Sequence, residues 1–187
     1  MQYIVIRSSR KTVSLQIKNG ELTVRAPFFM SDAEIEQFVL SHEDWINKHF
    51  EAARHRENKL GAIAPLEENE IRELAKKALE IIPRRVEYYA PIIGVTYGRI
   101  TIRNQHTRWG SCSGKGNLSF NCLLMLAPLE VVDSVVVHEL CHIKQMNHSK
   151  LFYDEVKRVF PEYFKWHSWL KEHGEALMAM NIKNKDT

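Results

Sequence analysis

The segment VVVHELCH, residues 135–142, constrains the fold of this chain more than any other stretch. His138 and His142 are four residues apart, so on a helix their imidazoles lie on one face about one turn apart. Glu139 completes the pattern H-E-x-x-H, in which two histidines bind zinc and the glutamate acts as general base. The apolar residues of the same segment predict a helix that is anchored in a core.

A catalytic zinc site has three protein ligands and an open fourth position for water. His148 lies six residues beyond His142, and a turn near Asn147 would bring it back towards the ion. Glu155 and Asp154, on the next predicted helix, are the alternative third ligands. We therefore predict one zinc ion per chain, held by two histidines of the helix and a third residue beyond it.

Composition and charge fit a globular protein of ordinary size. The 187 residues carry a net charge of +3, too weak to indicate nucleic acid, which stays a minority interpretation. Three cysteines without a C-x-x-C pair favour reduced thiols in a cytoplasmic protein. No run approaches the ~20 apolar residues of a membrane span, so we expect no membrane partner.

The first part of the chain alternates polar and apolar residues and predicts three short strands, with Asn19-Gly20 as a hairpin turn. A helix should follow over residues 31–57, capped by Ser31 with Glu34 as its capping-box partner. These elements form a predicted β-rich segment with a helix, residues 1–57.

Residues 58–69 resemble a linker, and a second region, residues 66–178, is predicted as an α+β core. Its elements are expected in this order: a helix from about 66 to 89, the strand YGRITIRN, the polar turn QHTRWGSCSGKG, the strand NLSFNCLLML, a helix from Pro128 to about Met146, the short helix KLFYDEVKRVF, and an aromatic helix closed by Gly174. Residues 179–187 form a predicted polar tail.

The motif RWGSC contributes two candidate substrate-binding residues, Arg108 and Trp109. Trp109 is interpreted mainly as a wall, and the Arg108 guanidinium could bind a carboxylate or a phosphate. Hydrolysis also needs a donor for the developing oxyanion. The sequence does not single one out, and the candidates are Arg108, His106, Tyr153 and Tyr163.

The combination of RWGSC, VVHELCH and NHSKLF, with RKTVSLQIKNGELTVRAP near the start, resembles the YgjP-like metal-dependent hydrolases, which are related to the WLM and SprT-like zinc proteins. The resemblance covers nearly the whole chain. It implies a zincin-like core after a small β-rich portion, with His138, His142 and His148 as zinc ligands and Glu139 as the acid/base. It also implies a metallopeptidase, although nucleoside triphosphate pyrophosphatase activity has been attached to the family.

Three functions are therefore open. A metallopeptidase needs a cleft beside an exposed strand edge, for which GNLSF is the predicted edge. A nucleoside triphosphate pyrophosphohydrolase on the same zinc site would need several cationic groups, for which the chain offers Arg99, Arg103, Arg108 and Lys115, and could use Mg²⁺ in addition. A non-catalytic zinc-stabilised binding module is the third. Glu139 speaks against it, because structural zinc sites typically have four protein ligands.

Overall fold

The computed structural model describes residues 2–18 and 20–181, with the backbone alone at residues 55–57 and 59. The chain divides into two compact units, residues 1–62 and 63–187. Each unit contains a three-stranded sheet and helices, so the predicted α+β class is confirmed. Among the described residues, no helix combines the length and the apolar character that a membrane span requires.

The sheet of the first unit consists of β1 (Ile4–Ser8), β2 (Ser14–Lys18) and β3 (Glu21–Pro27), in the order β1-β3-β2. β1 is parallel to β3, and β2 is antiparallel to it. Gly20 turns the chain between β2 and β3 with φ of +73°, which suits glycine. Asn19, the other residue of the predicted turn, lies outside the described residues.

Two helices, α1 (Asp32–Ser41) and α2 (Glu43–Gly61), replace the single predicted helix. The predicted capping box is confirmed, because Ser31 and Glu34 bond reciprocally to each other's backbone. At the break, side chains take the Phe38 carbonyl that a backbone N–H would otherwise reach: the Ser41 hydroxyl donates to it at 2.8 Å, and Nδ1 of His42 lies 2.8 Å from it. The core of this unit lies between β3 and the helices and contains Leu22, Val24, Ala26, Ile35, Val39 and Ile46.

The second unit begins with α3 (Glu68–Ile93), which continues through Pro83 and Pro91. Its sheet contains β4 (Ile100–Arg103), β5 (Gly110–Cys112) and β6 (Leu118–Asn121), in the order β4-β6-β5. β4 is parallel to β6, whereas β5 is antiparallel to it.

The prediction that GNLSF forms an edge strand is wrong. The GNLSF segment supplies β6, which is the central strand, and the edge next to the motif helix is β5. β5 lies inside the segment that was predicted to be a turn, because a tight hairpin at Gly116, with φ of +70°, folds RWGSC back onto β6.

The strand predicted over NLSFNCLLML ends early, at Asn121. The Asn121 side chain accepts a hydrogen bond from the backbone N–H of Leu123 at 3.1 Å and so caps a 3₁₀ helix, Cys122–Leu126. This buried 3₁₀ helix packs against α3 and leads into the motif helix.

The motif helix α4 (Leu129–Cys141) is followed by α5 (Lys150–Val159) and α6 (Tyr163–Ala179). α4 ends at Cys141 and not near Met146 as predicted, which leaves residues 142–149 for a turn. α4 is buried along nearly its whole length, in contact with α3, α5, α6 and β5. The motif helix α4 is therefore anchored in a core, as the sequence predicted.

Gly174 does not close α6 as predicted, since the helix continues to Ala179. The glycine instead allows close approach of Trp109, because a Cβ atom there would lie 3.2 Å from Cζ2 and Nε1 of the indole. Asn181 follows the helix and is buried. Residues 182–187 of the predicted tail lie outside the described residues.

Candidate metal centre

Three histidine side chains converge at the end of α4. Nε2 of His138 lies 3.1 Å from Nε2 of His142 and 3.0 Å from Nε2 of His148. The first two histidines share one helix face, and the turn after Cys141 brings the third back beside them. Within the described part of the chain, these residues form the one cluster of three or more His, Cys, Asp or Glu side chains with metal-binding geometry.

The histidine cluster has the chemistry of a metal site. Two nitrogens bound tetrahedrally at ~2.05 Å from one zinc ion are about 3.3 Å apart, close to the observed separations. Burial and the neighbouring imidazoles lower the pKa of His138 to about 3, and burial lowers the pKa of His142. Both rings are therefore neutral near pH 7, as metal ligands must be. The site fits a zinc ion.

Hydrogen bonds from the far side of two rings orient them. Nδ1 of His142 lies 3.0 Å from the backbone oxygen of Gln145, which can only accept. That contact puts the ring proton on Nδ1 and leaves the Nε2 lone pair for a metal. Nδ1 of His138 lies 2.8 Å from the hydroxyl of Tyr163, a buried residue at the start of α6. With Nε2 of His138 on a metal, this hydroxyl would accept a hydrogen bond from Nδ1–H.

Phe152 of α5 is the common support of all three imidazoles. Its ring centroid lies 4.9 Å from that of His138, 4.6 Å from that of His142 and 4.9 Å from that of His148. The side chain is fully buried, so its position is fixed by packing. The three imidazoles thus rest on one core residue, in addition to the hydrogen bonds that orient two of them.

Glu139 lies beside the histidines with its carboxyl group against Gly110 of β5. A Cβ atom at Gly110 would lie 2.6 Å from Oε1 and 2.7 Å from Cγ of Glu139, closer than real contacts allow. Burial raises the pKa of Glu139 to about 7. A carboxyl group with this pKa can both accept and release a proton near neutral pH.

The two alternative third ligands are engaged elsewhere. Glu155 forms ion pairs with Arg158 at 2.8 Å and with Lys144 at 2.7 Å, and hydrogen bonds from these cations hold its pKa at about 2. Asp154 pairs with Lys150 at 2.8 Å. The Lys144–Glu155 pair also links the turn after α4 to α5.

Two residues of the edge strand β5 direct their backbone N–H and C=O groups away from β6. The backbone oxygen of Trp109 and the backbone N–H of Ser113 both bond to the β6 hairpin, at 2.9 Å each. Backbone groups alternate in direction along a strand, so those of Gly110 and Cys112 point outward. These outward groups can pair with an extended chain.

Two compartments meet at the histidine cluster. The first, the metal-side cleft, has a volume of about 310 Å³. The second, the α6-side pocket, has a volume of about 230 Å³. Both are lined by Arg108, Gly110, His138 and Glu139. The metal-side cleft adds Ser111, Cys112, His142, Met146 and His148, and the α6-side pocket adds Trp109, Ser134, Val135, Tyr163, His167 and Leu170.

The comparison with protein families is decisive for identity. The profile of the YgjP-like metallopeptidase domain matches residues 11–74 and 63–173, which together cover most of the chain. The chain belongs to the YgjP-like metallopeptidase family. A comparison with curated proteins finds no match.

Two solved structures are partly similar to this YgjP-like chain. One is the zymogen of abylysin, a metallopeptidase of Pyrococcus abyssi, with 24% identity over 49% of this chain and 94% of that chain. The other is the zymogen of jannalysin, a metallopeptidase of Methanocaldococcus jannaschii, with 21% identity over the same shares. The TM-score is 0.44 in both cases, so the family assignment rests on the profile.

Arg108 and Trp109, the candidate substrate-binding residues of the YgjP-like chain, both line the α6-side pocket. The loop that carries them is anchored by the buried Asn121 side chain, which donates to the backbone oxygens of Gln105 at 2.8 Å and Arg108 at 3.0 Å. Asn181 also donates to Gln105, at 3.3 Å. The loop that carries the arginine is therefore tied to the core.

Two of the four candidate oxyanion donors line the compartments. Arg108 lines both compartments and Tyr163 lines one, whereas His106 and Tyr153 are not among the described residues that line either. The Tyr163 hydroxyl contacts Nδ1 of His138 and so can orient that imidazole, a position that the sequence did not indicate.

Several site residues escaped the sequence analysis. His167 was set aside because it lacks ligand spacing, yet it lines the α6-side pocket one helical turn after Tyr163. Phe152 was not singled out, although it lies inside NHSKLF, one of the motifs that carried the family resemblance. The close approach that a glycine at position 110 permits could be read from RWGSC, but its partner Glu139 could not.

Proposed function

We propose that the protein is a zinc-dependent peptidase that hydrolyses a peptide bond of a chain bound along β5. One observation carries the proposal: the three converging imidazoles, the Glu139 carboxyl group and the residues of β5 all border the metal-side cleft. A ligand triad, a proton acceptor and a strand edge are the three parts that such a reaction needs.

His138, His142 and His148 would hold the zinc ion through Nε2. When bound there, zinc would acidify a water molecule and polarise the scissile carbonyl group. The backbone oxygen of Gln145 holds the His142 ring in the tautomer that this requires, and the Tyr163 hydroxyl can accept from Nδ1–H of His138.

Glu139 moves the proton in the proposed reaction. A carboxylate oxygen accepts one proton from the attacking water, whose oxygen forms a new bond to the carbonyl carbon. The carbon–nitrogen bond then breaks, and Glu139 returns the proton to the leaving nitrogen. The products are a carboxylic acid and an amine. Gly110 supports this role by leaving space for the carboxyl group.

The substrate main chain would be bound by the outward backbone groups of Gly110 and Cys112. An extended peptide that adds to a sheet edge gains main-chain hydrogen bonds independent of its side chains. Unfolded proteins and flexible segments present such extended chains, so we propose them as substrates.

The charge of the cleft supports a peptide over a nucleoside triphosphate. Arg108 is the one arginine or lysine among the described residues that line the two compartments. Arg99, Arg103 and Lys115, the other cations that the sequence offered for a triphosphate, do not line them. A triphosphate is typically bound by several cationic groups.

The decisive experiment compares two substrates on the zinc-loaded protein: fluorescently labelled, unfolded casein and ATP. We expect cleavage of casein that a chelator abolishes and that Glu139→Gln reduces at least a hundredfold while zinc content is unchanged. Arg108→Lys should have a mild effect on casein cleavage. Chelator-sensitive hydrolysis of ATP that Arg108→Lys impairs, without cleavage of casein, would show that the enzyme is a nucleotide hydrolase.

A further inference from the structure

The α6-side pocket adjoins the reacting atoms without containing the whole ligand triad. It shares His138 and Glu139 with the metal-side cleft, but its own walls come from α4, α6 and Trp109. Val135 and Leu170 are buried, and the exposed surface of the pocket is mainly apolar. An apolar group that enters this pocket would release water from its walls, which favours binding.

We propose that the α6-side pocket selects the substrate: it receives a large apolar side chain, such as that of leucine, methionine or phenylalanine, from the residue next to the scissile bond. This inference rests on the proposed function and specifies the substrate class for it. The residues that set the preference are Val135 and Leu170, with Trp109 as the outer wall.

The size of the pocket supports a single side chain. Pockets that bind drug-sized ligands have volumes of about 300–1,000 Å³, and this pocket, at about 230 Å³, falls below that range. It is therefore suited to one large side chain of a longer ligand whose main chain lies outside, along β5. Gly174 contributes indirectly, since it lets the Trp109 indole pack onto α6 and close that wall.

The position of the pocket supports the residue next to the cut. Glu139 and His138 form the boundary between the two compartments, so a chain bound along β5 passes this boundary where its carbonyl group reacts. Side chains stand roughly perpendicular to a strand. A side chain adjacent to the reacting carbonyl group can therefore enter the pocket that begins at Glu139.

Polar groups at the pocket do not favour a charged occupant. Arg108 and Glu139 both line it, so a charged occupant of either sign meets one residue of like charge. His167 and the Tyr163 hydroxyl add two polar atoms to the wall. The apolar surface between them fits an uncharged side chain best.

Binding of a probe series to the zinc-loaded full chain tests the proposal without relying on turnover. The probes are hydroxamates HONH–CO–CH₂–CHR–CO–NHCH₃, in which R is hydrogen, methyl, isobutyl or benzyl, and their Kd values are measured by calorimetry. We expect the isobutyl and benzyl probes to bind roughly ten- to a hundredfold more tightly than the hydrogen probe, because full burial of a leucine or phenylalanine side chain contributes a factor of about that size.

Leu170→Phe should fill the pocket and abolish most of the advantage of the benzyl probe, while the hydrogen probe binds as in the parent. Leu151→Phe makes the same change at an exposed position of α5 outside both compartments and is the matched control. Equal Kd values for all four probes in the parent, or equal losses for the hydrogen and benzyl probes in Leu170→Phe, would overturn the proposal.

The same measurements separate this proposal from the proposed function. Benzyl-selective binding without any cleavage of casein would support the pocket and refute the peptidase. Cleavage of casein by a protein that binds all four probes equally would support the peptidase and refute the pocket.

Discussion

The carboxyl group of Glu139 lies against Gly110, in the space that any larger residue would need for its Cβ atom. Glu139 belongs to the buried helix α4, and Gly110 belongs to the edge strand β5. The contact joins the proposed proton acceptor to the strand that would bind the substrate. The packing of α4 against β5 therefore sets the distance between the Glu139 carboxyl group and a peptide that pairs with β5.

Gly110→Ala should displace the Glu139 carboxyl group and lower casein cleavage by roughly a hundredfold, because small misplacements of a reacting group have effects of this size. Zinc content should stay the same, since the histidines are not touched. Gly114→Ala, where an added Cβ atom meets nothing within 4 Å, is the control and should be neutral. Full activity in Gly110→Ala would contradict the assignment of Glu139.

Removal of His148 should release the metal, whereas removal of the Glu155 carboxylate should not. We expect His148→Ala to weaken zinc binding by more than the ~10- to 100-fold that loss of an outer partner costs. Glu155→Gln should retain zinc, because Glu155 pairs with Lys144 and Arg158. Elemental analysis after dialysis measures both. The opposite order of retention would make Glu155 the third ligand.

Glu139 should make the metal-free protein less stable as the pH rises. Burial raises the pKa of this carboxyl group in the folded state from its ordinary value of 4.5 to about 7. Between these two values the folded protein holds a proton that the unfolded chain has lost, so the free energy of unfolding falls with rising pH. The full loss, reached above pH ~7, is about 3 kcal/mol.

The Glu139→Gln variant lacks this titration and provides the test. Its urea midpoint should match that of the metal-free parent near pH ~5 and exceed it near pH ~8. Glu172→Gln, which removes an exposed carboxyl group from α6, is the control for loss of a carboxylate. A midpoint difference that does not change between the two pH values would argue against a protonated, buried Glu139.

Phe152→Leu should loosen the three imidazoles and weaken zinc binding by roughly tenfold or more, since supporting contacts tune metal affinity to that extent. The ring contacts all three histidines, and leucine cannot reproduce its flat surface. Val156→Ala removes carbon from the same buried face of α5, one turn away, and is the control for lost core packing. Equal zinc affinities for the two variants would show that Phe152 acts through general stability.

Tyr163→Phe should weaken zinc binding by about 10- to 100-fold with little effect on the fold, because His138 loses the partner of its Nδ1 atom. Competition with a chromogenic chelator measures the change. Tyr153→Phe removes a hydroxyl group from the ring that stacks near His148, at a centroid distance of 6.1 Å, and should retain the affinity of the parent. An unchanged affinity in Tyr163→Phe would exclude the orienting role of its hydroxyl.

Local sequence was enough for the features that depend on neighbours along the chain. The spacing of His138 and His142 predicted one helix face, and the Ser31 and Glu34 pair predicted a capping box. Helix periodicity and capping act over three or four residues, so their patterns are visible without knowledge of the fold. The break at His42 was missed because side chains of Ser41 and His42 take a backbone carbonyl there, which no propensity indicates.

Tertiary structure decided what residues distant in sequence do together. His138 contacts Tyr163, which lies 25 residues further along the chain, and Glu139 of α4 contacts Gly110 of β5. Neither contact follows from a fixed spacing along the sequence, because both depend on how α4 packs against α6 and β5. The same reason explains the wrong edge strand: alternation predicted that GNLSF was extended, but only the pairing of β4 and β5 on its two sides made it the central strand.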